Sequence, residues 1–231
     1  MLKAVILAGG YGKRLRPLTE SIPKSLIQIA GKAIIEWQIS WLSRHGIKEF
    51  VVLIGYLGEK VKERLGDGSK LGVKVEYSVE VVPLGTGGAL MNAYEYLKDE
   101  DEFMMINGDI ITNLDVTKMF DVPREFVGAI ALVPLPSPYG IVIFDETNKI
   151  KGFIEKPTIK DYWINAGIYL LRKEVFDYLP SKGDIERTAF PKLAEEGKLK
   201  AIRYFDVLWK SIDSHKDLEE ADALLREMKQ L

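Results

Sequence analysis

Hydrophobic positions along this chain follow two alternating rhythms. Ala4-Val5-Ile6-Leu7-Ala8, Phe50 to Ile54 and Phe103 to Ile106 are unbroken apolar runs of strand length. Such runs belong to strands covered on both faces. Between them the apolar residues recur at helical spacing. From Ala33 to His45 the positions Ile34, Ile35, Trp37, Trp41 and Leu42 predict an amphipathic helix that stops at Gly46. Glu59 to Leu65 predicts a short charged helix ahead of Gly66, Gly87 to Lys98 a further helix, and the alternation of Val73 to Ser78 a strand. Strands alternating with helices of this size predict an α/β fold with a doubly wound, mostly parallel, Rossmann-like sheet.

Beyond Asp109 the rhythm changes. Val127 to Val133, Tyr162 to Leu171 and Leu199 to Phe205 predict strands. Ile141 to Phe144 and Ile150 to Ile154 flank the turn-rich Asp145-Glu146-Thr147-Asn148 and predict a hairpin. Glu174 to Leu179 and Glu186 to Glu196 are expected to be helical, with Pro191 at a break or near a start. Lys216 to Leu231 predicts a closing amphipathic helix. No repeat or linker interrupts the pattern, so residues 1–231 are expected to form one domain.

Composition narrows the class. The 231 residues are 47% hydrophobic, carry a formal charge of −2 and include no cysteine. Disulfides and thiolate metal sites are therefore excluded. The near-neutral charge argues against nucleic acid as a partner. No apolar run approaches the roughly 18 residues of a membrane span, and a strand directly after Lys3 is not a signal peptide. A cytoplasmic protein is expected.

Candidate chemistry gathers where strands end. The first run leads into Gly9, Gly10 and Gly12, then Lys13, Arg14 and Arg16, and finally Pro23-Lys24. Glycines let the backbone pass close to an anion and present N–H groups to it, and the cations neutralise its oxygens. Arg14 after Gly12-Lys13 excludes a P-loop, and Leu15 excludes a dinucleotide fingerprint. The plainer alternative is a glycine turn with solvated charges. Asn107-Gly108-Asp109 ends another apolar run, and an aspartate there suits either Mg2+ or a turn and cap. Pro83 to Ala89 is a second glycine loop, either a helix start capped by Thr86 or a wall against a flat base.

The run LAGGYGKRLRPLT with Pro23-Lys24 resembles the signature of the sugar-1-phosphate nucleotidyltransferases, the NDP-sugar pyrophosphorylases. LGTGGAL, residues 84–90, looks most like the branch that transfers guanylyl groups to mannose or heptose 1-phosphate. The resemblance implies a glycosyltransferase-A-like sheet with a small β-rich sugar-binding insertion, residues 1–110 serving the nucleotide and 111–231 the sugar phosphate. It implies that Leu7, Ala8, Gly9, Gly10, Gly12, Pro83, Gly85, Thr86, Asn107 and Gly108 bind the nucleotide. Arg14, Lys24 and Lys156 would act on the phosphates, and Asp109 would hold Mg2+. Tyr139-Gly140, Glu155-Lys156 and Asn165 with Gly167 resemble the family's sugar-phosphate cluster. Glu80 precedes the second glycine loop. A carboxylate only accepts hydrogen bonds, and guanine offers two adjacent donors, so Glu80 is expected to select GTP unless it is a solvated strand-end charge.

One region departs from the family. Many members carry W-x-D-[IT]-G-T, whose aspartate is the second metal ligand. Here Trp209 is followed by Lys210-Ser211-Ile212-Asp213-Ser214. Strict register offers Ser211, and a slide of two offers Asp213. Asp213 is taken as the ligand, with a cap on the last helix as its alternative role. The reaction implied is sugar 1-phosphate + NTP → NDP-sugar + pyrophosphate. Alternatives are a UTP- or dTTP-dependent glucose-1-phosphate enzyme, transfer to another phospho-alcohol, or a non-catalytic homologue. Homo-oligomerisation is left open, and neither nucleic acid nor membrane is expected as a partner.

Overall fold

The computed structural model describes residues 2–229, without the side chains of 228 and 229; Gln230 and Leu231 of the expected last helix lie outside the described residues. The strands are β1 (Lys3–Leu7), β2 (Gln28–Ile29), β3 (Lys32–Ala33), β4 (Glu49–Ile54), β5 (Lys74–Val79), β6 (Glu102–Asn107), β7 (Ile110–Thr112), β8 (Gly128–Pro136), β9 (Ile141–Phe144), β10 (Ile150–Ile154), β11 (Thr158–Arg172), β12 (Leu199–Arg203) and β13 (Trp209–Ser211). The helices are α1 (Leu18–Ser21), α2 (Ile34–Arg44), α3 (Gly58–Leu65), α4 (Gly85–Asn92), α5 (Tyr94–Leu97), α6 (Ala189–Glu195) and α7 (His215–Lys229).

Seven strands form the central sheet in the order β12-β8-β11-β6-β1-β4-β5. All pairs are parallel except those of β11, which runs antiparallel to both β6 and β8. The continuous apolar runs are explained by cover on both faces. Ala4, Ile6, Val52, Ile54, Met104 and Ile106 pack into one core layer with α2 and α3. Their neighbours Val5, Val51, Leu53, Phe103 and Met105 pack into the opposite layer with α4 and α6. Adjacent residues on a strand point to opposite faces, so neither face can be polar.

The chain leaves β1 toward β4 and β5, then returns to β6 on the other side of β1. That reversal opens a crevice at the carboxyl ends of the strands, where ligands of such sheets bind. A third cluster places the last helix beside this crevice. Leu225 and Ala221 of α7 pack with Leu15, Ile29, Ile34, Ile111 and Ile212. The hairpin of β9 and β10 stands apart as its own two-stranded sheet, as expected.

Four expectations need correction. The helix expected over Gly87 to Lys98 starts two residues earlier and divides at Ala93. It starts early because the Gly87 and Gly88 N–H groups donate to the Gly183 carbonyl, which satisfies first-turn donors from outside the helix. Glu174 to Leu179 is a 3-10 segment, Lys173–Tyr178, and Glu186 to Glu196 divides into a 3-10 turn, Ile185–Arg187, and α6. Pro191 falls in the first turn of α6, where its missing N–H costs nothing. The strand expected from Tyr162 runs from Thr158 to Arg172.

Candidate functional site

A cavity of about 430 Å³ occupies the crevice. Its floor is the end of β1, and Leu7, Ala8, Gly9, Gly10 and Gly12 follow one another along the wall. Asn107, Gly108 and Asp109 close it on the β6 side, and Glu80, Pro83, Gly85 and Thr86 on the β5 side. Arg14, Lys24 and Asp213 complete it. Every residue that the sequence assigns to the nucleotide, together with Asp109 and Asp213, thus lines one cavity.

Close approach explains two of the glycines. The Gly108 N–H donates to the Leu7 carbonyl at 3.0 Å, and a Cβ at 108 would stand 2.1 Å from that oxygen. A Cβ at Gly9 would meet Glu80 Oε1 at 2.0 Å. Glu80 lies across the ends of β1 and β4 against Gly9 and Gly55, with its Oε2 accepting the Leu84 N–H at 3.1 Å. Burial pushes its carboxyl above the ordinary value, and the Leu84 hydrogen bond offsets part of that shift.

The charged centre is built around Lys24. Its Nζ donates to Asp109 Oδ2 at 2.7 Å and to Asp213 Oδ1 at 3.0 Å. Arg14 Nη2 donates to the same Asp213 oxygen at 2.8 Å. Arg14 is largely exposed, whereas the Lys24 side chain keeps only 16% of its surface. The ladder of β7 and β13 brings the two aspartates together from 104 positions apart in sequence. Ile110 pairs with Ser211, and the Ile212 N–H donates to the Asp109 carbonyl at 2.9 Å. Ile212 is fully buried, so Ser211 and Asp213 share the opposite side of the extended chain. Ser211 Oγ donates to Asp213 Oδ2 at 2.9 Å.

The slide of two residues therefore keeps the side-chain direction, and Asp213, not Ser211, meets Lys24 and Arg14. Capping of α7 falls to Ser214, whose Oγ accepts the Asp217 N–H at 3.3 Å, while Asp217 Oδ2 returns the contact by accepting the N–H groups of Asp213 and Ser214 at 3.1 and 2.8 Å. Burial opposes ionisation of Asp213. The hydrogen bond and charge of Lys24, the Ser211 hydroxyl and the charge of Arg14 outweigh it and hold the carboxyl below its ordinary value. Such a group stabilises the fold above the unfolded carboxylate pKa and loses that contribution as pH falls through the lower folded value.

Two carboxylate oxygens that meet on one ammonium are hard donors of the kind a divalent cation takes. Among the described residues no group of three or more His, Cys, Asp and Glu gathers to hold a metal alone. Ser25 adds a polar atom that the sequence reading missed. It lines the cavity, and its buried Oγ has no protein partner.

The sugar-side residues form two groups, and none lines this cavity. The hairpin brings Tyr139-Gly140 to Glu155-Lys156: a Cβ at Gly140 would stand 2.9 Å from Glu155 Oε2. Lys156 Nζ pairs with Glu155 Oε1 at 3.3 Å, and Lys156 adopts a positive φ of 42°. Asn165 and Gly167 lie on β11, and Gly167 packs against the Asn107 side chain that reaches the cavity wall. Lys13 of the first loop and Ala89 of the second line the cavity with the loops they belong to, and Tyr11, Leu15, Leu53 and Asp184 line it without having been foreseen. Asp184 comes from the second half, and no local motif marks it.

A cavity at a sheet switch point, edged by two glycine loops and holding cations beside paired carboxylates, defines the class: an open α/β sheet with a charged crevice at its strand ends. The family profile described as nucleotidyl transferase matches residues 3–228. The chain belongs to that family. It is 36% identical over 224 residues to the mannose-1-phosphate guanylyltransferase catalytic subunit beta of Dictyostelium discoideum, covering 94% of this chain and 62% of that protein. It is 35% identical over 252 aligned positions to the UTP–glucose-1-phosphate uridylyltransferase of Synechocystis, covering 99% of this chain and 65% of that protein. The chain thus spans less than two thirds of these relatives. Among solved structures, HddC from Yersinia pseudotuberculosis superposes with a TM-score of 0.78 at 29% identity, over 97% of this chain and 100% of that one. The same protein complexed with GMP-PN gives a TM-score of 0.75 at 27% identity, again over 97% and 100%.

Proposed function

We propose that this chain is a sugar-1-phosphate nucleotidyltransferase that joins the nucleotidyl group of an NTP to a sugar 1-phosphate. The observation that carries this reading is Lys24 held between Asp109 and Asp213, with Arg14 beside it, on the rim of a cavity edged by both glycine loops. In the reaction an oxygen of the sugar phosphate forms a bond to the α-phosphorus. The bond from that phosphorus to the β-bridging oxygen breaks, and its electron pair leaves with pyrophosphate. The nucleophile is already an anion, so no general base is required, and the protein's task is to align two polyanions and neutralise charge. Asp109 and Asp213 would hold Mg2+, which supplies charge neutralisation at the phosphates when bound. Arg14 and Lys24 bind the triphosphate and stabilise the departing pyrophosphate. Lys156 steers the sugar phosphate, and Tyr139, Gly140, Glu155, Asn165 and Gly167 surround the sugar. Substrates of this kind suit a cytoplasmic protein, and among the described residues no helix is long and apolar enough to cross a membrane.

The nucleotide is GTP and the acceptor mannose 1-phosphate or a close relative. Identity to a guanylyltransferase over most of the chain supports this, as does the structural likeness to a protein complexed with GMP-PN. Pyrophosphate release is measured with Mg2+ for four NTPs against mannose, glucose and N-acetylglucosamine 1-phosphates. The GTP row with mannose 1-phosphate is expected to dominate, and silence across the grid by folded protein overturns the activity.

Glu80→Gln tests the base assignment. An amide presents a donor where guanine also donates, so GTP should lose its lead over UTP by roughly tenfold. The same change removes a carboxylate whose ionised form is disfavoured by burial, so Tm should rise by about 2 °C. An unchanged NTP ranking removes Glu80 from base selection.

A further inference from the structure

A relay of hydrogen-bonded side chains runs from Thr86 on the cavity wall to Asn165 on β11. Thr86 stands in the first turn of α4 on the cavity wall. Its Oγ1 accepts the Ile185 N–H at 2.9 Å and donates to Glu186 Oε2 at 2.6 Å. The Tyr169 hydroxyl donates to the other carboxylate oxygen, Oε1, at 3.5 Å. That hydroxyl also accepts from Asn165 Nδ2 at 2.9 Å. Asn165 Oδ1 accepts the Gly167 N–H at 2.8 Å and so fixes the bend of β11 at a residue with φ of +71°.

Packing alone does not call for this arrangement. Tyr169 is wholly buried against Phe190, and an apolar residue facing it would need no partner. Glu186 is half-buried, and each of its carboxylate oxygens is engaged by a side chain from another element. Burial and the charge of Glu186 push the Tyr169 phenol far above its ordinary value, so the ring stays a neutral donor. Glu186 thus has one partner on each side. Thr86 belongs to the first half of the chain and Asn165 to the second, and Glu186 joins them without lining the cavity.

We infer that Glu186 is a positioning residue that registers the start of α4 at Thr86 against β11 at Asn165, so that occupancy of the nucleotide site is felt at the sugar phosphate and the reverse. The inference rests on the functional reading above, in which Thr86 faces the nucleotide and Asn165 the sugar phosphate.

The test is calorimetric titration, in Mg2+, with the α,β-methylene analogue of GTP, whose α–β bridge cannot be cleaved. Titrations are run with and without mannose 1-phosphate. For the intact chain the sugar phosphate should tighten analogue binding by about tenfold, within the usual range for coupled sites. In Glu186→Ala that factor should fall to near one while affinity for the analogue alone stays within about twofold. Glu186→Gln can still accept from Tyr169 and pair with Thr86, so it should keep most of the factor. Tyr169→Phe leaves the Thr86–Glu186 pair in place and should reproduce the alanine result even if Glu186→Ala does not fold. A merely structural role predicts instead that Tm and both affinities fall together, and that result overturns the inference. So does an unchanged factor in both variants, or a factor of one in the intact chain that binds the analogue well. In those cases the functional reading stands on pyrophosphate release. An intact chain that neither binds the analogue nor releases pyrophosphate removes that reading and the relay with it.

Discussion

Lys24→Ala is expected to lower kcat by about a thousandfold, the scale for losing one preorganised charge at a phosphoryl-transfer centre. Among the described residues Lys24 is the one side chain that touches both aspartates, at 2.7 and 3.0 Å, so its loss changes more than charge at the substrate. Asp109 and Asp213 are left facing each other with only Arg14 nearby, and Arg14 reaches only Asp213. Two carboxylates without a shared cation repel, and one resists ionisation. In chelator the variant's Tm should therefore fall by about 3 °C, and millimolar Mg2+ should restore it, because the ion supplies the missing positive charge. The acid limb of its stability should also move to higher pH. With Lys24 gone, the Asp213 pKa rises toward its unfolded value, and the stabilising window above it narrows from below. Pyrophosphate release and thermal melts with and without Mg2+ check all three results. Turnover within tenfold of the parent chain would remove Lys24 from the reaction.

What could be read from the sequence divides by range. The strand runs and the first glycine loop are local signals, and their residues sit where expected around the cavity. The hairpin at Asp145 to Asn148 was likewise written in a turn between two apolar runs. Contacts made by pairing at a distance were not legible. The strands β7 and β13 are three residues each, too short for periodicity to mark, yet they decide which residue faces Asp109. Asp184 and Glu186 reach α4 through a backbone loop whose Gly183 carbonyl replaces a helix cap. Nothing in Lys182-Gly183-Asp184 announces that contact. The alternative role of Thr86 as a cap is not taken up for the same reason, since its hydroxyl is bonded to Glu186 and Ile185 of the second half.

The second large effect concerns the departure at Trp209-Lys210-Ser211-Ile212-Asp213. Asp213→Ser should cost about a thousandfold in kcat, because it removes the oxygen that both Lys24 and Arg14 hold and one of the two hard ligands proposed for Mg2+. Ser211→Asp combined with Asp213→Ser should recover turnover to within about tenfold of the parent chain. The reason is geometric. In an extended chain residues two apart point the same way, and Ser211 Oγ already touches the Asp213 carboxylate at 2.9 Å. A carboxylate at 211 extends by one atom into the space that Asp213 vacates, and serine at 213 can return the hydrogen bond. Ser211→Asp alone should not improve the enzyme, since it adds a third negative charge beside Asp109 and Asp213 with the same two cations to balance it. Thermal melts separate the metal from the chemistry. The Mg2+-dependent rise in Tm should vanish in Asp213→Ser and reappear in the transposed variant. A transposed variant as inactive as Asp213→Ser, yet folded and still stabilised by Mg2+, would mean that the backbone between Trp209 and His215, and not the carboxylate alone, fixes the reacting geometry.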